Sequence, residues 1–485
     1  MGRITYRELA NMARSLAAAL DELGVAENAS VAIISPNCTR FLAALFGVSA
    51  FGRILVPVNF RLNTEEIGYI LQHSGSNVAL VDPEIAAQLS HLNVQPLNVQ
   101  HRLVMGRDSD SQLFLRKDAV PKLSVKDETS TVSINYTSGT TARPKGVQLS
   151  HRSCYLNAIT FALHAGVSDR DVYLHTLPTF HCNGWGMPYA LTAMGAKQVI
   201  IRKIDGAEIL RRVKAEGVTL MCAAPAVVAV VLDAATAFKA RGEAIPGSGT
   251  TRVIVAGAPP PSKTIERIET ELGWEFIQIY GLTETSPLLT VNRAPEEWDS
   301  LDSADRARRL SRAGVPAVGV RMDISPGGEF LARSNNVFDG YYNQPEETAK
   351  AIVDGWFHTG DGGHVEGAYS VIIDRKKDVI ISGGENVSSI EVEDCLYQHP
   401  AVAEAAVIGV PHEKWGETVL AFIVKRADME LDSASVLAHC RAQLSGFKCP
   451  TTIEFRDSLP RTATGKLQKF KLREPYWVNR SRQVN

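Results

Sequence analysis

One stretch of the sequence, residues 135–147, has the residue types needed to bind phosphate. A glycine in such a run lets the backbone approach a ligand closely, while hydroxyls and consecutive N–H groups can surround phosphate oxygens. Each charge-assisted hydrogen bond of this kind contributes about 1.5–3 kcal/mol, so several together are able to hold a triphosphate. The candidate phosphate-binding residues are Thr137, Ser138, Gly139, Thr140, Thr141 and Lys145.

The spacing within this stretch differs from the Walker phosphate loop. Lys145 follows Pro144 and precedes Gly146, whereas the Walker lysine follows a glycine and precedes a serine or threonine. A hydroxyl-rich turn without a ligand is therefore the alternative interpretation at this point. The apolar run over residues 131–136 predicts the strand that leads into the stretch.

The rest of the chain alternates short apolar runs with helical stretches, which predicts helices layered on parallel sheets. Residues 31–34 and 219–222 are examples of predicted strands, and residues 41–51 of a predicted helix. Around residue 375 this alternation ends at a short run of charged residues. The sequence therefore predicts an α/β protein with a large multi-subdomain domain over residues 1–375 and a small α+β domain over residues 376–485.

Composition limits the classes of partner. The length of 485 residues suggests two to four folding units, and a net charge of −2 gives no reason to expect nucleic acid or an anionic membrane. The seven cysteines form no C-x-x-C pair, which favours reduced thiols over a zinc or redox site. The first residues lack an apolar secretory core, and the most apolar stretch is far short of a bilayer span. We therefore expect a cytoplasmic protein without an integral membrane segment.

Further motifs follow the phosphate stretch along nearly the whole chain. They are TFHCNGW at residues 179–185, AGAPP at 256–260, YGLTET at 280–285, GWFHTGD at 355–361, DR at 374–375 with SGGEN at 382–386, and PRTATGK at 460–466. With YTSGTTARPKG at 136–146 they resemble the signature motifs of the adenylate-forming superfamily, which includes acyl-CoA synthetases, peptide-synthetase adenylation domains and firefly luciferases. Residues 181–185 are most similar to medium-chain fatty acyl-, aryl- and plant-type acyl-CoA ligases.

The resemblance implies a reaction that joins a carboxylate to the α-phosphate of ATP and expels pyrophosphate. Two anions meet in this step, so positive charge and oriented donors matter more than a general base. In the family, the stretch containing Thr137 and Lys145 holds the β- and γ-phosphates, Tyr280 stacks on adenine, and Thr285 touches the α-phosphate region. Glu284, in the motif at residues 280–285, resembles the family's magnesium ligand. One carboxylate, with phosphates and water, is the ligation that Mg²⁺ prefers.

The resemblance implies that residues 1–375 form the AMP-binding catalytic domain and that residues 376–485 form a mobile domain. It also assigns residues on both sides of this boundary. Asp361 resembles the carboxylate that accepts the ribose hydroxyls, with Arg375 assisting. Lys466 resembles the mobile lysine that contacts the substrate carboxylate and the α-phosphate, and Lys377 occupies the hinge position. The other implied cofactor-binding residues are Gly257, Ala258, Pro259 and Gly281 and, bordering the pantetheine tunnel, Gly383, Gly384 and Glu385.

Seven residues form the predicted acid pocket. They are His181, Trp185, Met221, Val228, Gly257, Gly281 and Leu288. His181 stands where relatives gate the acyl pocket, although a packed core histidine is a serious alternative. The largely apolar set favours a medium-chain, aryl or polycyclic acid over acetate or an amino acid.

The resemblance therefore predicts an acid:CoA ligase that uses ATP, Mg²⁺ and coenzyme A. The predicted catalytic residues are Lys466, Thr137, Lys145, Glu284 and His181. An enzyme that loads a separate carrier protein is the nearest alternative, and a non-catalytic nucleotide-binding homologue is a more distant one. The short segment before Thr5 would leave part of the N-terminal layer exposed, and a homodimer contact over it is an open expectation.

Overall fold

The computed structural model describes residues 2–91, 99–137, 143–375, 378–383, 385–427, 429–462 and 467–478. Within these ranges the strands form four sheets. Two seven-stranded sheets and one five-stranded sheet are built from residues before 376, and a second five-stranded sheet from residues after 379. The predicted α/β class, with a large N-terminal part and a smaller C-terminal part, is confirmed.

The first sheet contains the strand that leads into the phosphate stretch. Its strands, in spatial order, are Gly340–Tyr341, Lys145–Ser150, Thr131–Thr137, Ile54–Val58, Ser30–Ile34, Val78–Val81 and His101–Val104. The last five of these run parallel to one another. Lys145–Ser150 pairs antiparallel with the strand on each side of it. Every residue of Ser30–Ile34 is buried, and alternate residues enter two different cores, as expected for a strand covered on both faces.

The second sheet repeats this plan. Its strands, in spatial order, are Val315–Pro316, Leu288–Arg293, Glu275–Gly281, Arg252–Val255, Leu220–Ala223, Val172–His175 and Lys197–Ile200. The last five are parallel and the first two antiparallel. The predicted parallel layers are therefore the parallel parts of two mixed sheets. Parallel strands bring their carboxyl ends to one edge, where α/β proteins bind ligands.

The third and fourth sheets are largely antiparallel. The third contains Arg321–Ile324, Glu329–Arg333, Trp356–Glu366 and Ile352–Val353, with Tyr369–Arg375 paired to Trp356–Glu366. The fourth contains Glu385–Val387, Ile380–Ser382, Gly416–Lys425 and Val402–His412, with Thr452–Phe455 added in parallel. The last strand of the third sheet along the chain, Tyr369–Arg375, therefore ends at the predicted domain boundary.

Helices cover the sheets. They are Tyr6–Glu22, Thr39–Ser49, Thr64–His73, Pro83–Ala86, Arg107–Leu113, His151–Ala165, Met187–Met194, Gly206–Glu216, Pro225–Ala240, Ser262–Arg267, Ser303–Leu310, Pro345–Ala351, Ser389–Tyr397, Ser433–Gln443 and Lys469–Arg473. The first begins at the capping box that the sequence predicts: Glu8 N–H donates to Thr5 Oγ1 at 3.2 Å, and Thr5 N–H donates to the Glu8 carboxylate at 2.6 Å.

The C-terminal part has hydrophobic cores of its own, built from residues 380–476. Separate cores favour the predicted boundary at residues 375 and 376, which stays a prediction. Across the described ranges, no helix combines the length and the apolar composition needed to cross a bilayer. The cellular location and the homodimer also stay predictions.

Candidate active site

Several of the predicted site residues lie where the first three sheets meet. Thr137 ends a strand of the first sheet and pairs in register with Lys145. Tyr280 stands near the carboxyl end of Glu275–Gly281 in the second sheet, and Asp361 faces Arg375 across the third sheet. Side-chain hydrogen bonds then join these sheets to one another.

Asp361 is a buried carboxylate with a partner on each oxygen. The Tyr280 hydroxyl donates to Oδ2 at 2.8 Å, and Arg375 Nε lies 3.2 Å from Oδ1. Burial raises the pKa of Tyr280, so its hydroxyl remains a donor. Burial alone would lower the pKa of Arg375, but Asp361 and Glu284 raise it above its ordinary value. The Asp361 carboxylate and the Arg375 guanidinium therefore lie side by side near the carboxyl ends of the parallel strands of the second sheet.

Tyr341 connects Glu284 with Lys145. Its hydroxyl donates to Glu284 Oε1 at 2.9 Å, and Lys145 Nζ lies 4.8 Å from the centre of its ring. The second oxygen of Glu284 makes no hydrogen bond to the residues that the structure describes. That oxygen fits the single-carboxylate ligation of Mg²⁺, which otherwise takes phosphate and water oxygens.

Two members of this cluster, Tyr341 and Glu347, are missing from the predicted site. Glu347 Oε2 lies 2.5 Å from Lys145 Nζ. Both residues come near Lys145 because strand Gly340–Tyr341 pairs with strand Lys145–Ser150. A pairing between strands so far apart in the chain leaves no local pattern by which a single sequence could reveal it.

Thr285 and Gly281 shape the turn that presents Glu284. The Thr285 hydroxyl is fully buried, accepts from Leu282 N–H at 3.0 Å and donates to Pro287 O at 2.6 Å. A Cβ on Gly281 would lie 1.5 Å from Pro287 O, so glycine is required there. Contact between Thr285 and a phosphate stays a prediction, because its hydroxyl is engaged within the turn.

Gly257, Ala258 and Pro259 follow the strand Arg252–Val255 at its carboxyl end. Gly257 has φ 93°, is exposed, and has open space where a side chain would stand. The loop therefore lies at the same edge of the second sheet as Tyr280. Its contact with a cofactor stays a prediction.

His181 precedes a left-handed turn that contains Trp185. All five residues 182–186 have φ between 37° and 76°, a conformation that residues other than glycine rarely adopt. Asn157 supports this turn: its Nδ2 donates to Trp185 O at 3.3 Å, and Leu288 N–H donates to its Oδ1 at 3.2 Å. The predicted gate thus lies on backbone fixed by a fully buried amide.

The seven predicted pocket residues do not share one face of the second sheet. Trp185 and Leu288 lie in the core that contacts both seven-stranded sheets. Met221 and Val228 belong to another core, packed under helices Gly206–Glu216 and Pro225–Ala240. Successive strand residues point to opposite faces, so Met221 points away from Trp185. Met221 and Val228 therefore lie in the core on the far face. The composition of the acid pocket stays a prediction.

Gly383 and Glu385 belong to a tight hairpin of the fourth sheet. Gly383 has φ 62°, and its N–H donates to Trp415 O at 2.9 Å, while Glu385 is exposed opposite Ser382. Their role beside a pantetheine arm stays a prediction. The remaining predicted residues lie outside the described ranges and are Ser138, Gly139, Thr140, Thr141, Lys377, Gly384 and Lys466.

Known proteins resemble this chain over nearly its whole length. The family model described as AMP-binding enzyme matches residues 1–342, and the model described as AMP-binding enzyme C-terminal domain matches residues 391–466. The chain is 37% identical to 4-hydroxybutyrate–CoA ligase 2 of Metallosphaera sedula, over 97% of this chain and 89% of that protein. It is 37% identical to 2-methylpropanoate–CoA ligase CCL4 of Humulus lupulus, over 95% and 88%. It is 33% identical to the peroxisomal trans-cinnamate:CoA ligase of Petunia hybrida, over 97% and 89%.

Solved structures agree with this placement. The anthranilate CoA ligase AuaEII, in complex with anthranoyl-AMP, superposes with a TM-score of 0.86 at 25% identity, over 97% of this chain and 92% of that one. ATP-bound MatB from Rhodopseudomonas palustris superposes with a TM-score of 0.84 at 27% identity, over 97% and 93%. The chain therefore belongs to the family of AMP-binding, adenylate-forming enzymes.

Proposed function

We propose that the protein is an ATP-dependent acid:CoA ligase that acts on a hydrophobic carboxylic acid. Relatives at 33–37% identity are named for 4-hydroxybutyrate, 2-methylpropanoate and trans-cinnamate. These acids range from short aliphatic to aryl. The apolar surroundings of Trp185 and Leu288 favour an acid of the same kind, with its carboxylate toward the edge of the second sheet.

One observation carries this proposal: Lys145, Glu284, Asp361 and Arg375 converge at the meeting point of three sheets. In the first step a carboxylate oxygen of the acid bonds to the α-phosphorus of ATP, and the bond to pyrophosphate breaks. Lys145 would face the departing phosphates, and Asp361, whose oxygens can each accept a further hydrogen bond, would hold the ribose hydroxyls. Mg²⁺, when bound at Glu284, would neutralise phosphate charge.

In the second step the CoA thiol loses its proton and its sulfur bonds to the acyl carbonyl carbon. The bond from that carbon to the phosphate oxygen breaks, and AMP leaves with its electron pair. The proposed domain of residues 376–485 would turn about Lys377 between the steps and bring Gly383 and Glu385 toward the thiol arm. Lys466 would serve the first step and withdraw before the second.

A screen of organic acids tests the proposal. Purified protein with ATP and Mg²⁺ is given 4-hydroxybutyrate, 2-methylpropanoate, trans-cinnamate and medium-chain fatty acids, and pyrophosphate and acyl-AMP are measured. We expect acid-dependent pyrophosphate release, and acyl-CoA when CoA is added. Turnover with a phosphopantetheine-bearing carrier protein but not with CoA would favour the carrier-loading alternative. Absence of acyl-AMP with every acid would reject ligase activity.

A further inference from the structure

The ammonium group of Lys145 already has an anionic partner. Its Nζ lies 2.5 Å from Glu347 Oε2, and both side chains are partly shielded, with exposed fractions of 18% and 33%. Glu347 stands on the short helix Pro345–Ala351, outside every motif of the sequence. A carboxylate therefore lies directly against the ammonium group of the lysine that is proposed to face the phosphates of ATP.

The surroundings keep Glu347 in this position and in its charged form. Its other oxygen, Oε1, accepts from Lys350 Nζ at 2.7 Å. The hydrogen bonds from Lys145 and Lys350 lower the pKa of Glu347 to about 2. Glu347 is therefore an anion throughout the pH range in which an enzyme is assayed.

A polyphosphate that reaches Lys145 meets this anion. The ammonium has three donors but a single charge, so a phosphate oxygen at Lys145 either displaces Glu347 or lies beside it. Displacement gives up an ion pair, and coexistence brings like charges close together. In both cases Glu347 opposes binding of the β- and γ-phosphates, and it opposes binding of pyrophosphate to the same extent.

We infer that Glu347 is a positioning residue that competes with nucleotide phosphates for Lys145 and so keeps the affinity for ATP and pyrophosphate low. This inference rests on the proposed function. After the acid has been adenylated, Glu347 returns to Lys145 as pyrophosphate departs. The ion pair thus favours product release over reversal of the first step.

Replacing Glu347 by glutamine tests this role. Glu347→Gln keeps the shape of the side chain and removes its charge. We expect α,β-methylene-ATP, measured by calorimetry, to bind about fivefold more tightly, and the dissociation constant of pyrophosphate, measured in the same way, to fall by about the same factor. AMP lacks the β- and γ-phosphates, so its affinity should be unchanged. A variant that merely perturbed the fold would alter AMP binding as well.

Two variants serve as controls. Glu346→Gln removes the same charge from the exposed neighbouring residue and should leave all three affinities within twofold of the wild type. Glu347→Asp keeps the charge and should restore weak binding. Unchanged or weaker binding of the ATP analogue and of pyrophosphate in Glu347→Gln would overturn the inference. The binding measurements need no acid, so they remain informative even if the acid screen rejects the ligase.

Discussion

Asp361 is the residue on which the proposed ribose site most depends. Both of its oxygens are engaged by buried or partly buried partners, so replacement by asparagine removes a charge without opening space. We expect Asp361→Asn to raise the KM for ATP about tenfold or more, because the amide cannot accept from two ribose hydroxyls and also satisfy Tyr280 and Arg375. Arg375 is 36% exposed, so the lost ion pair should cost only about 1 kcal/mol of unfolding free energy.

Steady-state kinetics and urea unfolding measure the two effects separately. Tyr280→Phe is the matched control, since it removes one neutral donor and should cost about 0.5–1.5 kcal/mol with a smaller change in KM. An Asp361→Asn enzyme whose KM for ATP stayed within twofold of the wild type would contradict the proposed ribose contact.

Motifs allowed some residues to be assigned to one site from the sequence, whereas the contacts of residues outside the motifs could not be predicted. Asp361 and Arg375 stand in separate motifs, and the structure brings them opposite each other across two strands. Glu347 shows no such signal, because its contact depends on a pairing between distant strands. The face on which Met221 lies could not be predicted, because every residue of Leu220–Ala223 is buried and the strand has no polar alternation to distinguish its two faces.

At the scale of one strand, His175 makes stability depend on pH. It ends the strand Val172–His175, is 2% exposed, and contacts Gln198 Oε1 through Nε2 at 2.8 Å. Burial lowers the pKa of His175 from 6.5 to about 4. The unfolded chain takes up this proton near pH 6.5 and the folded chain only near pH 4, so stability falls as the pH drops through this window. The loss should reach about 2 kcal/mol at pH 5.

Urea unfolding at pH 7.5 and pH 5.0 measures this loss in the wild type and in His175→Gln. The variant has no titrating group at this position, so its decline should be about 2 kcal/mol smaller. The other titrating groups are the same in both proteins, so their contributions cancel in the difference. Equal declines would show that His175 does not remain neutral in the folded protein.

Element types were read more reliably from the sequence than element boundaries. The strand predicted over residues 131–136 is Thr131–Thr137, and the helix predicted over residues 41–51 is Thr39–Ser49. The left-handed turn at residues 182–186 could not be predicted in this way. Its positive φ values depend on tertiary contacts such as the hydrogen bond from Asn157 to Trp185 O.

At the scale of the whole molecule, polar groups join the two proposed domains. Ser389 N–H, in the first turn of helix Ser389–Tyr397, donates to Asp374 Oδ2 at 3.0 Å. Ser262 N–H, at the start of a helix in the large part, donates to Asp394 Oδ1 at 2.9 Å. Each part thus supplies a carboxylate to a helix N-terminus of the other. An interface of this kind opens more readily than an apolar one, which favours the proposed domain movement.

Lys469 connects the polar groups of this interface. Its Nζ lies 2.8 Å from Glu393 Oε1 and donates to the Ser389 hydroxyl, which itself bonds to Asp374. Burial raises the pKa of both Asp374 and Glu393, and the lysine charge offsets part of that effect. Lys469→Met removes the offset and leaves two buried carboxylates without a cation, so we expect a loss of about 3–5 kcal/mol in unfolding free energy at pH 8.

The pH dependence of that loss distinguishes buried charge from packing. Without Lys469 the pKa values of Asp374 and Glu393 should rise further, so the folded variant binds more protons than its unfolded chain and regains stability as the pH falls from 8 toward 5. Lys471→Met, an exposed change on the same helix, should stay within about 0.5 kcal/mol of the wild type at both pH values. A loss in Lys469→Met that was the same at pH 8 and pH 5 would mean that apolar contacts of the lysine stem, rather than its charge, join the C-terminal helix to the domain boundary.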